Sequence, residues 1–160
     1  MLFRSGLPGL HGRGSASIGR IMAEAQFWVG IHGIIANRGR ILLLRRAARV
    51  AFKPGCWDLP GGHLTLGESF DGCLLREVKE ETGLEVAIER LLGLYKVEAD
   101  QYLQALYACR LKLYQPIKLK PNEHAESRWV TLNEAAGLEL IPYLNAIIRR
   151  GMLNYTLAPP

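Results

Sequence analysis

Residues 61–84 read GGHLTLGESFDGCLLREVKEETGL, and this stretch decides the fold. Placed about 100° apart, Phe70, Leu74, Leu75 and Val78 share one broad face, so the spacing predicts a helix over residues 69–82. Ser69 is the expected N-cap and Gly83 the expected C-terminal stop. Glu77, Glu80 and Glu81 are related as i, i+3 and i+4, which gathers three carboxylates on a neighbouring face. Like charges at that spacing repel, and in the last turn the helix dipole disfavours an anion by about 0.3–1 kcal/mol. A sequence selected only for helix stability would avoid both penalties.

A divalent cation removes the conflict. Mg²⁺ takes hard carboxylate oxygens and fills its remaining positions with water and phosphate oxygens, and Mn²⁺ accepts the same donors. No His or Cys cluster accompanies the acids, which disfavours Zn²⁺. The competing reading is a solvated acidic face softened by Arg76 and Lys79. The residues upstream add to the first reading: Trp57-Asp58-Leu59-Pro60 leads a rigid proline into Gly61-Gly62, where bare backbone can approach a metal or phosphate closely. Gly67-Glu68-Ser69 then enters the helix, so a loop is pinned beside the acidic face.

From Gly62, five residues lead to Glu68 and seven more to Arg76. Glu77, Val78, Glu80, Glu81, Gly83 and Leu84 complete a pattern that resembles the Nudix hydrolase signature, G-x5-E-x7-R-E-U-x-E-E-x-G-U with U aliphatic, at every specified position. WDLPGG before it and ESRWVTLNEA after it are similar to the usual surroundings, and in outline the resemblance spans about Phe27 to Arg150. It implies a mixed α/β (α+β) domain, the Nudix fold, with a mixed β-sheet sandwiched between α-helices. It also implies Mg²⁺-dependent hydrolysis of a nucleoside diphosphate linked to another moiety. The substrate would be a nucleoside triphosphate, nucleotide sugar, ADP-ribose or dinucleotide. By the same resemblance, Glu77, Glu80 and Glu81 would bind metal with the Gly62 carbonyl. Arg76 would orient Glu77, and Glu68 would brace Arg76 or the metal shell.

Water attack on phosphorus needs a base. The resemblance allows either a glutamate of the signature or one from a distant loop. Glu123 is the loop candidate, Glu126 is second, and Glu77 is the alternative within the signature. Arg45, Arg46, Arg49 and Lys53 precede the signature with no acid between them and are candidate phosphate contacts. Trp28, His32 and Trp129, and more weakly Tyr143, are candidates for stacking on a base or lining its pocket.

The rest of the chain sets the frame. Its 160 residues are 49% hydrophobic and 22% charged, which suits one globular domain and excludes collagen-like, disordered and disulfide-scaffold classes. No apolar run approaches the roughly 18 residues that cross a bilayer. Residues 1–23, with Arg4, Arg13 and Arg20, five glycines and no acid, read as a flexible basic tail before a single domain over 24–160. Met22 is an alternative natural start. That tail carries three of the chain's five net positive charges, while residues 61–84 hold five acids against Arg76 and Lys79. The distribution fits a small-molecule polyphosphate and a metal better than a nucleic-acid groove. An RNA 5′-end or cap pyrophosphohydrolase using the tail, and a non-catalytic nucleotide sensor, are the alternatives. Cys56, Cys73 and Cys109 lack C-x-x-C spacing and read as reduced thiols of a cytoplasmic protein. A homodimer is compatible with the resemblance.

Coarse strand expectations fall at 27–36 and 41–44, joined by a hairpin turn, and at 86–97, 102–114 and 128–131. A loop is expected over 45–56. A second helix is expected over 138–150, with Pro142 in its first turn.

Overall fold

The computed structural model describes residues 27–97 and 101–153. The expected tail and the alternative start at Met22 lie outside the described residues. Two apolar runs open the domain. Strand β1 (Trp28–Asn37) turns at Arg38-Gly39 into β2 (Arg40–Arg46). Both turn residues have positive φ, 49° and 72°, as a two-residue hairpin matched to strand twist requires.

The strands are buried on both faces, which is why their sequences run continuously apolar rather than alternating. Strand β1 pairs in parallel with β6 (Tyr102–Leu111) along its length, and β6 pairs antiparallel with β5 (Val86–Val97). The other edge of β1 is divided. Its end, Ala36 and Asn37, pairs with β2, whereas Gly30–His32 pair with the short β4 (Gly61–His63). Strand β2 continues away to pair with β3 (Trp57–Asp58) and β7 (His124–Val130). The start of the Gly-rich signature is thereby fixed against the central strand.

On one face, Ile31, Ile35, Leu42 and Leu44 pack against Cys73, Leu74 and Val78 of α1 (Phe70–Thr82). On the other, Ile34, Ile41 and Leu43 meet Ala135 of α2 (Leu132–Ala136) and Tyr143, Leu144 and Ile147 of α3 (Pro142–Arg149). The sheet is mixed and lies between helices, as expected.

Helix α1 has the expected ends. Ser69 Oγ accepts from the Gly72 N–H at 3.1 Å, and Gly83 closes the helix in the left-handed conformation. Its buried side differs from expectation: Phe70 and Leu75 are exposed, and Cys73, Glu81 and Thr82 are buried instead. The sheet contacts a narrower stripe than the apolar count suggested. Strand β2 extends through Arg46, which shortens the expected loop, and β6 ends at Leu111. Strand β7 begins at His124, four residues early. The second helix starts at Pro142, because Trp57 holds the preceding segment extended: its N–H donates to Glu139 O and its carbonyl accepts from Ile141 N. A residue before proline also disfavours helical geometry. Helix α2 was not foreseen, although Thr131 and Glu134 form a reciprocal capping box whose T-x-x-E pattern is visible in the sequence.

Candidate active site

Glycine builds the floor of the cleft. Gly61 has φ 149°, and a Cβ there would meet the Ile31 carbonyl and the His32 Cα. A Cβ on Gly62 would run into the Glu77 carboxylate. The two glycines thus let α1 press its acidic side directly onto β4. The Gly61 N–H donates to Glu81 Oε2 at 2.9 Å.

Arg76 locks the neighbouring acids. Its Nε and one Nη reach the two oxygens of Glu68 at 2.8 and 2.9 Å, and its other Nη reaches Glu77 Oε1 at 2.8 Å. Bidentate guanidinium–carboxylate geometry fixes both partners in orientation. Arg76, together with the Thr65 hydroxyl, holds the Glu68 carboxyl down at about 2. The carboxylate therefore remains an acceptor throughout the neutral range.

Glu81 is different. It is 5% exposed, and burial raises its pKa, opposed by hydrogen bonds from His124 and the Gly61 N–H. His124 Nε2 lies 2.7 Å from Glu81 Oε1, and His124 Nδ1 is buried without a partner among the described residues. Lys120 Nζ spans Glu123 at 2.6 Å and Glu80 at 3.7 Å. The result is a cleft of about 430 Å³ lined by Glu77, Glu80, Glu81 and Glu123, with Arg76 and Lys120 between them. Ligand atoms of Glu81, Glu123 and His124 lie within 4.8 Å of one another. Oxygen-rich and partly desolvated, the carboxylates of this cleft suit a hard divalent ion.

Of the other candidates, Arg46 and His32 line the cleft. Arg46 is anchored: its Nε donates to the Phe52 carbonyl at 2.8 Å and Nη1 lies 3.5 Å from Asp58. Arg45, one residue earlier, faces away toward the Gly55 carbonyl and Glu126, because the side-chain direction alternates along β2. Arg49 donates to the Pro121 carbonyl. Trp28 is exposed and edge-on to His63, and Trp129 lies at a separate surface beside Arg40 and Glu134. Neither tryptophan lines the cleft. Glu126 pairs with Arg128. Sequence reasoning passed over His124, Lys120 and Asp58. The adjacency of His124 to Glu123 was the available signal. Asp58 stands in an apolar run; the adjacent Leu59 N–H donates to it at 2.8 Å, and the fold alone brings Tyr143, whose OH donates at 2.6 Å. The three cysteines are buried and free, and no helix among the described residues is long and apolar enough to cross a membrane.

Comparison with known proteins now gives this arrangement its class. The NUDIX domain profile matches residues 27–152, and the chain belongs to that family. Over 68% of its length it is 32% identical to a MutT-like protein of Streptomyces ambofaciens, covering 66% of that protein. It is 45% identical over 67 residues to an ADP-ribose pyrophosphatase of Methanocaldococcus jannaschii, covering 42% of this chain and 38% of that one. The chain thus spans just under two thirds of the first relative and well under half of the second. Among solved structures, a MutT protein from Methanosarcina mazei Go1 matches with a TM-score of 0.68 at 30% identity, over 79% of this chain and 94% of that one.

Proposed function

We propose that the protein is a Nudix-type hydrolase that cleaves a pyrophosphate linkage in a nucleoside diphosphate joined to another moiety. The observation that carries this reading is the convergence of Glu77, Glu80, Glu81 and Glu123 on one cleft beside the Arg76–Glu68 pair. Its relatives named pyrophosphatase and MutT protein support it.

Glu77, Glu80 and Glu81, with the Gly62 carbonyl, would hold Mg²⁺ or Mn²⁺. Bound there, the ion neutralises phosphate oxygens and lowers the pKa of attacking water. Arg76 keeps Glu77 in one orientation, and Glu68 fixes Arg76 in turn. Glu123 takes the water proton once Lys120 releases it, with Glu77 as the alternative base. Arg46, which lines the cleft and is tied to the Phe52 carbonyl, would contact a substrate phosphate.

Turnover of nucleoside triphosphates, nucleotide sugars, ADP-ribose and dinucleotides with Mg²⁺ and Mn²⁺ tests the reading. Glu80→Gln should abolish metal-dependent hydrolysis with the fold intact. Near wild-type turnover in that variant removes Glu80 from the ligand set.

A further inference from the structure

Strand β5 ends the sheet. At 12 residues it is the longest strand described, and among the described residues it pairs with β6 alone. Its outer N–H and C=O groups therefore face away from the sheet, and an open edge of that length is a template for another strand.

The middle of this edge is leucine rather than lysine or proline. Leu91 is 48% exposed and Leu94 53%. A single exposed leucine is ordinary, but these two share a face. Leu91 lies opposite Tyr107 and Leu94 opposite Ala105, both of which belong to the α1 side of the sheet. Residues three apart in a regular strand point to opposite faces. Here a bulge between Leu91 and Gly93 adds one residue and brings both leucines to the α1 side. Leu92 and Tyr95 pack on the α3 side, and Arg90 stands there too, opposite Ala108.

Set against a second copy of itself, β5 has one central register that keeps these faces matched. A two-fold axis between Leu92 and Gly93, perpendicular to the sheet, brings each Leu91 to Leu94 of the partner subunit on the α1 face. On the α3 face, each Arg90 meets Tyr95 of the partner subunit, a cation beside an aromatic ring. Glu89 comes alongside Lys96 of the partner subunit, its opposite in charge. The bulged Leu92 lies next to the axis, so the irregularity of one strand meets that of the other. Moving the axis by half a residue sets Leu91 against the partner's Gly93 or Leu92 against the partner's Leu94, which crosses the faces.

We propose that the protein forms a two-fold dimer by antiparallel pairing of β5 with β5 of a second copy in this register. Each edge covers the other, so association stops at two. A single strand edge is at the small end of stable interfaces, and dissociation at about micromolar concentration is expected. The inference is independent of the hydrolase reading.

The test is sedimentation velocity of the full chain from about 1 to about 100 µM. Wild type should be dimeric at the upper end. Leu91→Glu and Leu94→Lys each set a charge against a leucine across the axis, and each should weaken association about tenfold or more. Both side chains are half exposed, so far-UV circular dichroism should be unchanged. An equimolar mixture of the two variants should dimerise again, because the new charges then meet once and the remaining leucines meet once. A wild type that stays monomeric, as it would if another segment of this chain covered the edge, overturns the proposal. So does a dimer that survives either substitution, or a mixture that stays monomeric.

Discussion

His124 Nε2 sits 2.7 Å from Glu81 Oε1, and both side chains are almost wholly buried, so the first residue of β7 is joined to the last turn of α1 across 43 positions of sequence. Burial alone would push the Glu81 proton on. The histidine and the Gly61 N–H hold the carboxylate against that tendency.

Removing the ring should therefore be costly. His124→Ala leaves a buried carboxylate with one remaining donor, and a loss of about 1–3 kcal/mol is expected in denaturant unfolding. His124→Gln, which can still donate, should recover part of it. Wild-type stability in the alanine variant would contradict the pairing.

Gly62→Ala separates site geometry from folding. The added methyl collides with the Glu77 carboxylate, while backbone dihedrals at this position carry no positive φ that alanine would resist. Turnover should fall about a hundredfold, the scale of small misplacements at a reacting centre, with little change in melting temperature. Retained activity would mean that Glu77 can work from another rotamer.

The capping box of α2 gives a pH signature. Thr131→Ala should cost about 1 kcal/mol. The Glu134 carboxyl is held below its usual 4.5, first by the Thr131 N–H, then by the Thr131 hydroxyl, with Arg40 also contributing. A depressed carboxyl stabilises the fold fully above its unfolded pKa and loses that contribution as pH falls through its folded pKa. Glu134→Gln should thus be less stable than wild type at pH 7, and the gap should close on acidification. Melting curves at several pH values would show a constant gap if the carboxylate were idle.

The thiols should be inert in the native protein. Burial drives Cys73 up to about 11 and Cys109 up to about 12, and it raises Cys56 as well. Reactive thiolates are therefore scarce at pH 8. Iodoacetamide should label none of the three before unfolding and all of them after. Rapid labelling of the native chain would show that a cysteine is reachable and activated.

Much of this was legible because it is local. Ser69 and Gly83 bound α1 through their own backbone preferences, and Arg38-Gly39 turns the hairpin by a two-residue rule. Glu77, Glu80 and Glu81 are neighbours by helical spacing alone. None of these depends on a distant partner. Exposure of Phe70 and Leu75 was not legible, since an apolar side chain is buried only where the sheet reaches it.

By itself, then, the sequence determined the signature helix, its caps and the carboxylates it gathers, because helix geometry links residues three and four apart. Tertiary structure decided which acid is buried and which arginine faces the cleft. It also decided that Leu91 and Leu94 share one face of β5. Those outcomes follow from strand pairing: β1 meets β4 at Gly30–His32 and β6 at residues far along the chain. Pairing between distant strands sets every side chain's direction at once, and no short stretch of residues contains that information.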